Sequence, residues 1–418
     1  MSLRGDASVR DCRQAGPGAK LATEMGQSSR RTISGSFPWQ ADRPLSWPVT
    51  TEVGPGLSGV IACETRVSWL DPAAGLLMYR GVPVERLAGS ASFEEVAHLL
   101  ITGRRPEQDR ADYDAFAARL RRSRALPPDV VALVRSLDPA APPTRLLRAG
   151  VSALGCHELT AEDDLSGERH WRELRIVGQV AALVGEVARF RLGLPSRPPD
   201  PSCSLARGML EALGDDEPAE EDVALLDLLW VLYADHGLDA PSFTSMVVAS
   251  CLADPYYNVV AGLSALCGPR LGGAARKTLE QLLPLTDEEQ ARRWVRRAVA
   301  AGERIAGFGH RMYHMADPRA VVLRRELALA ARRRGLPELF AVAHAVEQEA
   351  SLLLGGRGVH VNINFYAAPL YHLLGVDGPL VSCLFVVGRM AGLVARVHEA
   401  LAQGRLFRPV SRYVGGSR

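Results

Sequence analysis

Gly307-Phe-Gly-His-Arg-Met-Tyr-His-Met-Ala-Asp-Pro-Arg319 is the stretch on which the reading of this chain turns. Glycines such as Gly307 and Gly309 let backbone come close to a ligand. His310 can donate a hydrogen bond to a polarised carbonyl, and an arginine such as Arg311 or Arg319 grips a carboxylate through two parallel hydrogen bonds. A solvated loop does not need Gly-x-Gly-His-Arg. The combination is the equipment for holding a 2-oxo acid.

Three other clusters lie outside this stretch. In Ala234-Asp-His-Gly-Leu-Asp-Ala-Pro-Ser-Phe-Thr-Ser245, His236 sits at the end of an apolar segment. Alone it reads as a histidine satisfied by a neighbouring backbone carbonyl. Leu266-Cys-Gly-Pro-Arg-Leu-Gly-Gly-Ala-Ala275 is a glycine-rich turn leading into a helix, by itself ordinary loop punctuation. Near the C-terminus Arg389 lies inside an apolar run and Arg408 in Leu406-Phe-Arg-Pro-Val410. An arginine among apolar neighbours needs a partner. That partner is either a carboxylate of the protein or one carried by a ligand.

From about residue 90 onward the pattern is helix after helix. Ser92 with Glu95 forms a capping box and Gly103 stands where that helix ends; Thr286 with Glu289 suggests a second cap. Residues 222–235 are apolar nearly all round, which marks a buried helix. Further helices are expected at about 241–253, 256–266, 272–283, 319–334, 337–354 and 379–403, with short strand pairs around 57–79. Residues 1–46, rich in Gly, Ser, Arg and Pro, read as a flexible leader. The class is mainly α.

A net charge of +2 gives no reason to propose nucleic acid or a membrane as partner. Only Lys20 and Lys277 are lysines, so the basic residues are nearly all arginine, as genomic base composition would produce. Seven scattered cysteines without a CxxC pair argue against a disulfide framework or a zinc site and suit a reducing cytoplasm. Apolar runs such as Val223–Ala234 and Val381–Gly388 fall short of the ~18 residues of a membrane span. No metal is expected.

In order, the clusters resemble the citrate synthase family from about residue 57 to 415. Gly307–Arg319 is similar to its "GFGHR-V-Y-x-x-x-DPR" signature, and "VSWLDPAAGLLMYRGVPVERL" and "FEEVAHLLITGRRP" to its opening segment and first long helices. "ADH" with "SFTSMVVAS" resembles the segment of its first active-site histidine, "GLSALCGPRLGGA" its "GPLHGGAN" turn, and "VNINFYAAPLYHLLGV" its "PNVDFY". "LFVVGRMAGLVARVHE" and "RPVSRYVG" resemble its C-terminal end.

The resemblance implies a two-domain helical subunit in a twofold homodimer, with a large domain of 47–271 and 377–418 and a small domain of 272–376 inserted between. Such enzymes condense acetyl-CoA with oxaloacetate and hydrolyse the citryl-CoA thioester. By resemblance His236, His310, Arg319, Arg389 and Arg408 hold the 2-oxo dicarboxylate, with Arg408 reaching in from the partner subunit. Gly307, Gly309 and His314 would face the CoA side. No cofactor is bound permanently, and a CoA thioester is the co-substrate to expect.

The acetyl-CoA half departs from the family. The enol-stabilising histidine falls at Leu271 and the proton-abstracting aspartate at Asn364. Leucine has no hydrogen bond to offer, and asparagine cannot usefully accept a proton near neutral pH. The asparagine of "GGAN" is Ala275, the glutamate after the first histidine is Gly237, and the basic residue after "HR-V-Y" is His314. His314 and His360 are the nearest candidates for a replacement base. Three readings follow: a diverged enzyme with another acyl donor or chemistry, a non-catalytic oxaloacetate- or citrate-binding regulatory paralogue, and a weak but genuine citrate or 2-methylcitrate synthase.

Overall fold

Helices dominate the computed structural model, which describes residues 55–57, 60–157, 171–268, 271, 273–409 and 415. The leader expected at 1–46 lies outside these residues. The described residues from 63 onward form one compact unit.

The chain first makes a three-stranded antiparallel sheet: β1 (Ser68–Asp71), β2 (Leu76–Tyr79) and β3 (Val82–Pro83), with Ser68 opposite Tyr79 and Tyr79 opposite Val82. β1 and β2 pair within the 57–79 expectation, and β3 lies just beyond it. The β2–β3 turn puts both Arg80 and Gly81 at positive φ, the backbone a tight two-residue hairpin requires. Arg80 is held there by its guanidinium, which donates twice to the Leu100 carbonyl, at 3.1 and 2.7 Å.

The helices begin and end where local chemistry directs them. Ser92 and Glu95 make the reciprocal capping box at Phe93–Thr102, and Gly103 closes it in the left-handed region. The second expected cap is corrected by one residue. Asp287, not Thr286, accepts from the Gln290 backbone and opens Glu288–Ala300, while Thr286 bonds the Gln290 side chain instead. An acidic cap gains from the partial positive charge at a helix start, which favours aspartate over threonine.

The expected later helices appear as Ala240–Ala249, Pro255–Leu266, Ala274–Leu282, Pro318–Arg333, Pro337–Leu354 and Val381–Gln403. One more, Ile363–Leu373, was not expected as a helix. It carries Pro369 inside and is buried almost all round, so the sequence shows a breaker and no polar face. The apolar run that begins at Val381 also continues further than expected. Its helix is long enough to cross a membrane, yet 83% of the most apolar window is buried inside the fold, as in a core helix.

Val381–Gln403 packs against Glu220–Tyr233 and the turn that follows it. Gly388 faces the Trp230 backbone and Gly392 faces Ala234 and Asp235, where a Cβ on Gly392 would stand 2.3 Å from the Ala234 carbonyl oxygen. Only glycine permits this approach, which also lets the Gly392 N–H donate to Ala234 O at 3.0 Å. The close crossing brings Arg389 and Arg396 to the segment that bears His236.

Candidate active site

His236 is presented by a turn with fully buried polar supports. Asp235 accepts two hydrogen bonds from Arg396, at 2.7 and 2.8 Å, and one from the Ser68 hydroxyl. The same carboxylate accepts from Gly237 N at 2.9 Å, which curls the chain around His236, with Gly237 at positive φ. Burial pushes the Asp235 acid up, but Arg396 outweighs it and holds the group below the usual carboxylate range. The expectation that a neighbouring carbonyl satisfies His236 does not hold for its Nε2, which is shielded from solvent and has no partner among the described residues. Burial, and then the positive field of Arg319, keeps the imidazole neutral well below its ordinary titration range.

His310 faces it, with ring centroids 5.0 Å apart and planes at 71°. Its Nδ1 accepts from the backbone N–H groups of Met312 and Tyr313, both at 3.0 Å. A nitrogen that accepts twice carries no proton, so the proton sits on Nε2, ready to donate. Burial and then Arg319 lower the His310 pKa to about 4, which keeps the ring neutral at physiological pH. Tyr313, whose ring centroid is 4.7 Å from that of His310, contributes a buried hydroxyl with no partner among the described residues.

The glycines of the signature have structural causes. Gly307 and Gly309 both take positive φ, and a Cβ on Gly307 would meet Phe365 at 2.6 Å. Backbone bonds run from Asn362 N to Gly307 O and from Gly309 N to His360 O, each 2.8 Å, and Asn362 Nδ2 donates to Gly309 O at 2.8 Å. The His310 loop is therefore sewn to the start of Ile363–Leu373. Asp317 completes the seam. It caps Pro318–Arg333, accepts from Ile363 N at 3.3 Å and receives Arg319 through Nε at 3.0 Å and Nη2 at 2.8 Å.

Thus the fork of Arg319 is occupied by a protein carboxylate, and the residue is buried. Arg389 is buried too. Its Nε donates to Tyr233 O at 2.8 Å, its Nη1 pairs with Asp239, and its guanidinium lies over the Phe385 ring at 5.0 Å. The alternative of a protein carboxylate therefore describes Arg389 in this structure. Arg408 is exposed and, among the described residues, donates to its neighbour, Pro409 O, at 3.1 Å.

At the position of the expected base, Asn364 accepts from the Tyr233 hydroxyl through Oδ1 at 3.2 Å. Burial pushes the Tyr233 phenol far above its ordinary range, so the hydroxyl stays protonated and donates. Leu271 stands 43% exposed in the turn before Ala274, its N–H on Gly268 O at 3.0 Å. His314 is exposed. The His360 ring packs over Gly355, 3.6 Å from where a Cβ would be. The structure thus gathers His236, His310, Arg319, Arg389 and Asn364 around Tyr233 and Tyr313. It leaves Leu271, His314 and Arg408 at exposed positions.

Sequence reasoning missed Tyr233, Tyr313, Asp235, Asp239, Asp317 and Arg396. Tyr313 and Asp317 stood inside the decisive stretch, and the Asp-Pro-Arg order is a helix-cap signal that could have marked Asp317. Tyr233 and Arg396 carry no local signal, because only the crossing of two helices brings them to the site.

A family model described as "Citrate synthase, C-terminal domain" matches residues 56–410. The chain is 35% identical over 370 residues to the citrate synthase of Acidithiobacillus ferridurans, a match spanning 86% of this chain and 95% of that protein. It is 31% identical over 378 residues to a 2-methylcitrate synthase of Mycobacterium tuberculosis, spanning 90% of this chain and 94% of that protein. Among solved structures, citrate synthase from Thermoplasma acidophilum, in its ternary complex with carboxymethyl coenzyme A and oxaloacetate, has a TM-score of 0.80 at 26% identity. That match covers 88% of this chain and 98% of that one. The fold, the motif order and these likenesses lead to one conclusion: the chain belongs to the citrate synthase family.

Proposed function

We propose that this chain is a diverged member of its family that holds an oxaloacetate-like 2-oxo acid between His236 and His310 and serves an acyl donor or chemistry other than acetyl-CoA enolisation. The observation that carries the reading is the facing pair of neutral imidazoles, with His310 Nε2–H free to donate and His236 Nε2 buried without a partner. A neutral donor in a shielded site polarises a ligand carbonyl without the solvation a charged one would demand. The altered donor follows from Asn364, whose amide oxygen is taken by Tyr233, and from Leu271. General-base catalysis is worth about 10²–10⁴ in rate, and a lost oxyanion-type donor costs about 10²–10³.

In this reading Arg319 and Arg389, and Arg408 from a second copy, meet the carboxylates of the ligand. A CoA thioester enters as co-substrate past Gly307, Gly309 and His314, and no cofactor is bound permanently. The subunit has a large domain of 47–271 and 377–418 and a small domain of 272–376, works as a cytoplasmic homodimer, and closes over the ligand to expel water. A second reading, a non-catalytic oxaloacetate- or citrate-binding regulatory paralogue, draws support from Leu271, a side chain that can stabilise no enol.

The test is calorimetric titration with oxaloacetate, then with acetyl-CoA in its presence, with release of free CoA followed in the same samples. Oxaloacetate binding without CoA release supports the reading and directs the search to other acyl donors; finding none favours the regulatory paralogue. Steady CoA release would reveal a genuine synthase with a replacement base and overturn it. Absence of oxaloacetate binding would overturn both readings.

A further inference from the structure

Three buried arginines stand by the histidine pair, and each faces one aspartate: Arg319 with Asp317, Arg396 with Asp235, and Arg389 with Asp239. With both imidazoles neutral, each arginine charge is already faced by one carboxylate of the protein. The pairs are not alike. The side chains of Asp317 and Asp235 are 0% exposed, whereas that of Asp239 is 25% exposed. A fully buried carboxylate stripped of its arginine has nowhere to go, so Arg319 and Arg396 keep their aspartates, and a ligand meets Arg319 beside Asp317 rather than in its place. Asp239 can turn to water, so Arg389 is the arginine whose partner can yield.

We infer that Asp239 is a specificity-determining residue: it competes with the second carboxylate of a 2-oxo acid for Arg389, and so sets how strongly the site prefers dicarboxylic over monocarboxylic ligands. The inference rests on the 2-oxo acid reading above. Asp239 occupies Nη1 of Arg389, so a second carboxylate takes both Nη groups of that fork only by displacing Asp239, while a monocarboxylate leaves the pair intact. The second carboxylate therefore contributes less affinity here than an unoccupied arginine would give it.

Asp239→Asn separates this role from a structural one. Asp239 also caps Ala240–Ala249 by accepting from Ser242 N at 2.9 Å, and asparagine caps about equally well. Calorimetry on wild type and variant would use oxaloacetate and 2-oxobutyrate, which carries a methyl group where oxaloacetate has its second carboxylate. The expected result is at least tenfold tighter oxaloacetate binding in the variant, with 2-oxobutyrate changed less than twofold. Asp239→Ser, which keeps a capping hydroxyl, should show the same split if the asparagine variant folds poorly. Equal gains for both acids, or no gain for oxaloacetate, would overturn the role of Asp239 and leave the 2-oxo acid reading standing. Binding of neither acid by any of the proteins would remove that reading and this inference together.

Discussion

The Tyr233 hydroxyl donates to Asn364 Oδ1 at 3.2 Å, and so joins the last residue of the buried Glu220–Tyr233 helix to the position where the family resemblance puts a proton-abstracting aspartate. An amide oxygen accepts this bond without taking up a proton. A carboxylate in the same place would accept it too, and would retain a second oxygen for substrate.

Replacing Asn364 with Asp and Leu271 with His together should restore condensation, because the two substitutions return the base and the enol-stabilising donor. CoA release from acetyl-CoA and oxaloacetate should rise by about 10²-fold or more over wild type. A double variant that folds, binds both ligands and stays inert would show that other positions also block the reaction.

Low pH should act on His310 in a defined direction. Its pKa falls from 6.5 unfolded to about 4 folded, so between those values the unfolded chain binds more protons and stability rises with pH. The contribution is complete above pH 6.5 and is lost as pH falls toward 4, with an upper size of roughly 3 kcal/mol. Denaturant melts from pH 7.5 to pH 4 should show a smaller acid loss in His310→Gln than in wild type. Identical slopes for the two proteins would contradict the assignment.

Asp235 and Arg396, at 0% and 1% side-chain exposure, form a pair that water cannot rescue. Arg396→Met should cost about 3–5 kcal/mol, since it leaves a buried carboxylate uncompensated. Arg276→Ala breaks an exposed pair with Glu280 and should stay within about 0.5 kcal/mol. Thermal melts of both variants check the contrast, and a small shift for Arg396→Met would deny the pair its structural role.

Gly392→Ala inserts a methyl group 2.3 Å from the Ala234 oxygen and 2.6 Å from Asp235 Cβ, and backbone cannot step aside there. Loss of about 1–3 kcal/mol is expected, with weaker oxaloacetate binding as the His236 turn shifts. A variant with unchanged melting and unchanged affinity would show that the helices tolerate separation.

The Ser92–Glu95 cap, the buried helix before His236 and the Gly307–Arg319 signature could all be read from residue order, because each depends on neighbours a few positions apart. Helix Ile363–Leu373 could not, since a segment buried all round has no polar stripe and its Pro369 suggests a break. The histidines were legible as candidates, yet their protonation was not. Which nitrogen of His310 bears hydrogen is decided by the Met312 and Tyr313 amides, and that geometry appears only on folding. Except for Asp317, which the Asp-Pro-Arg order could have marked, the aspartates facing the arginines were illegible for a similar reason. Asp239 and Arg389 are far apart in the chain, and two glycines bring the Arg389 helix close to Trp230, Ala234 and Asp235, just before the turn that carries Asp239.

The backbone seam between the Gly307–His310 loop and residues 360–362 gives the site a shared ruler. Residue 364 and His310 keep their spacing through main-chain bonds that a substitution at 364 does not remove. Exchanging the group at 364 therefore changes its chemistry while leaving its address relative to His310 intact. A lineage can switch this position between acid and amide in one step, in either direction, without rebuilding the pocket around it.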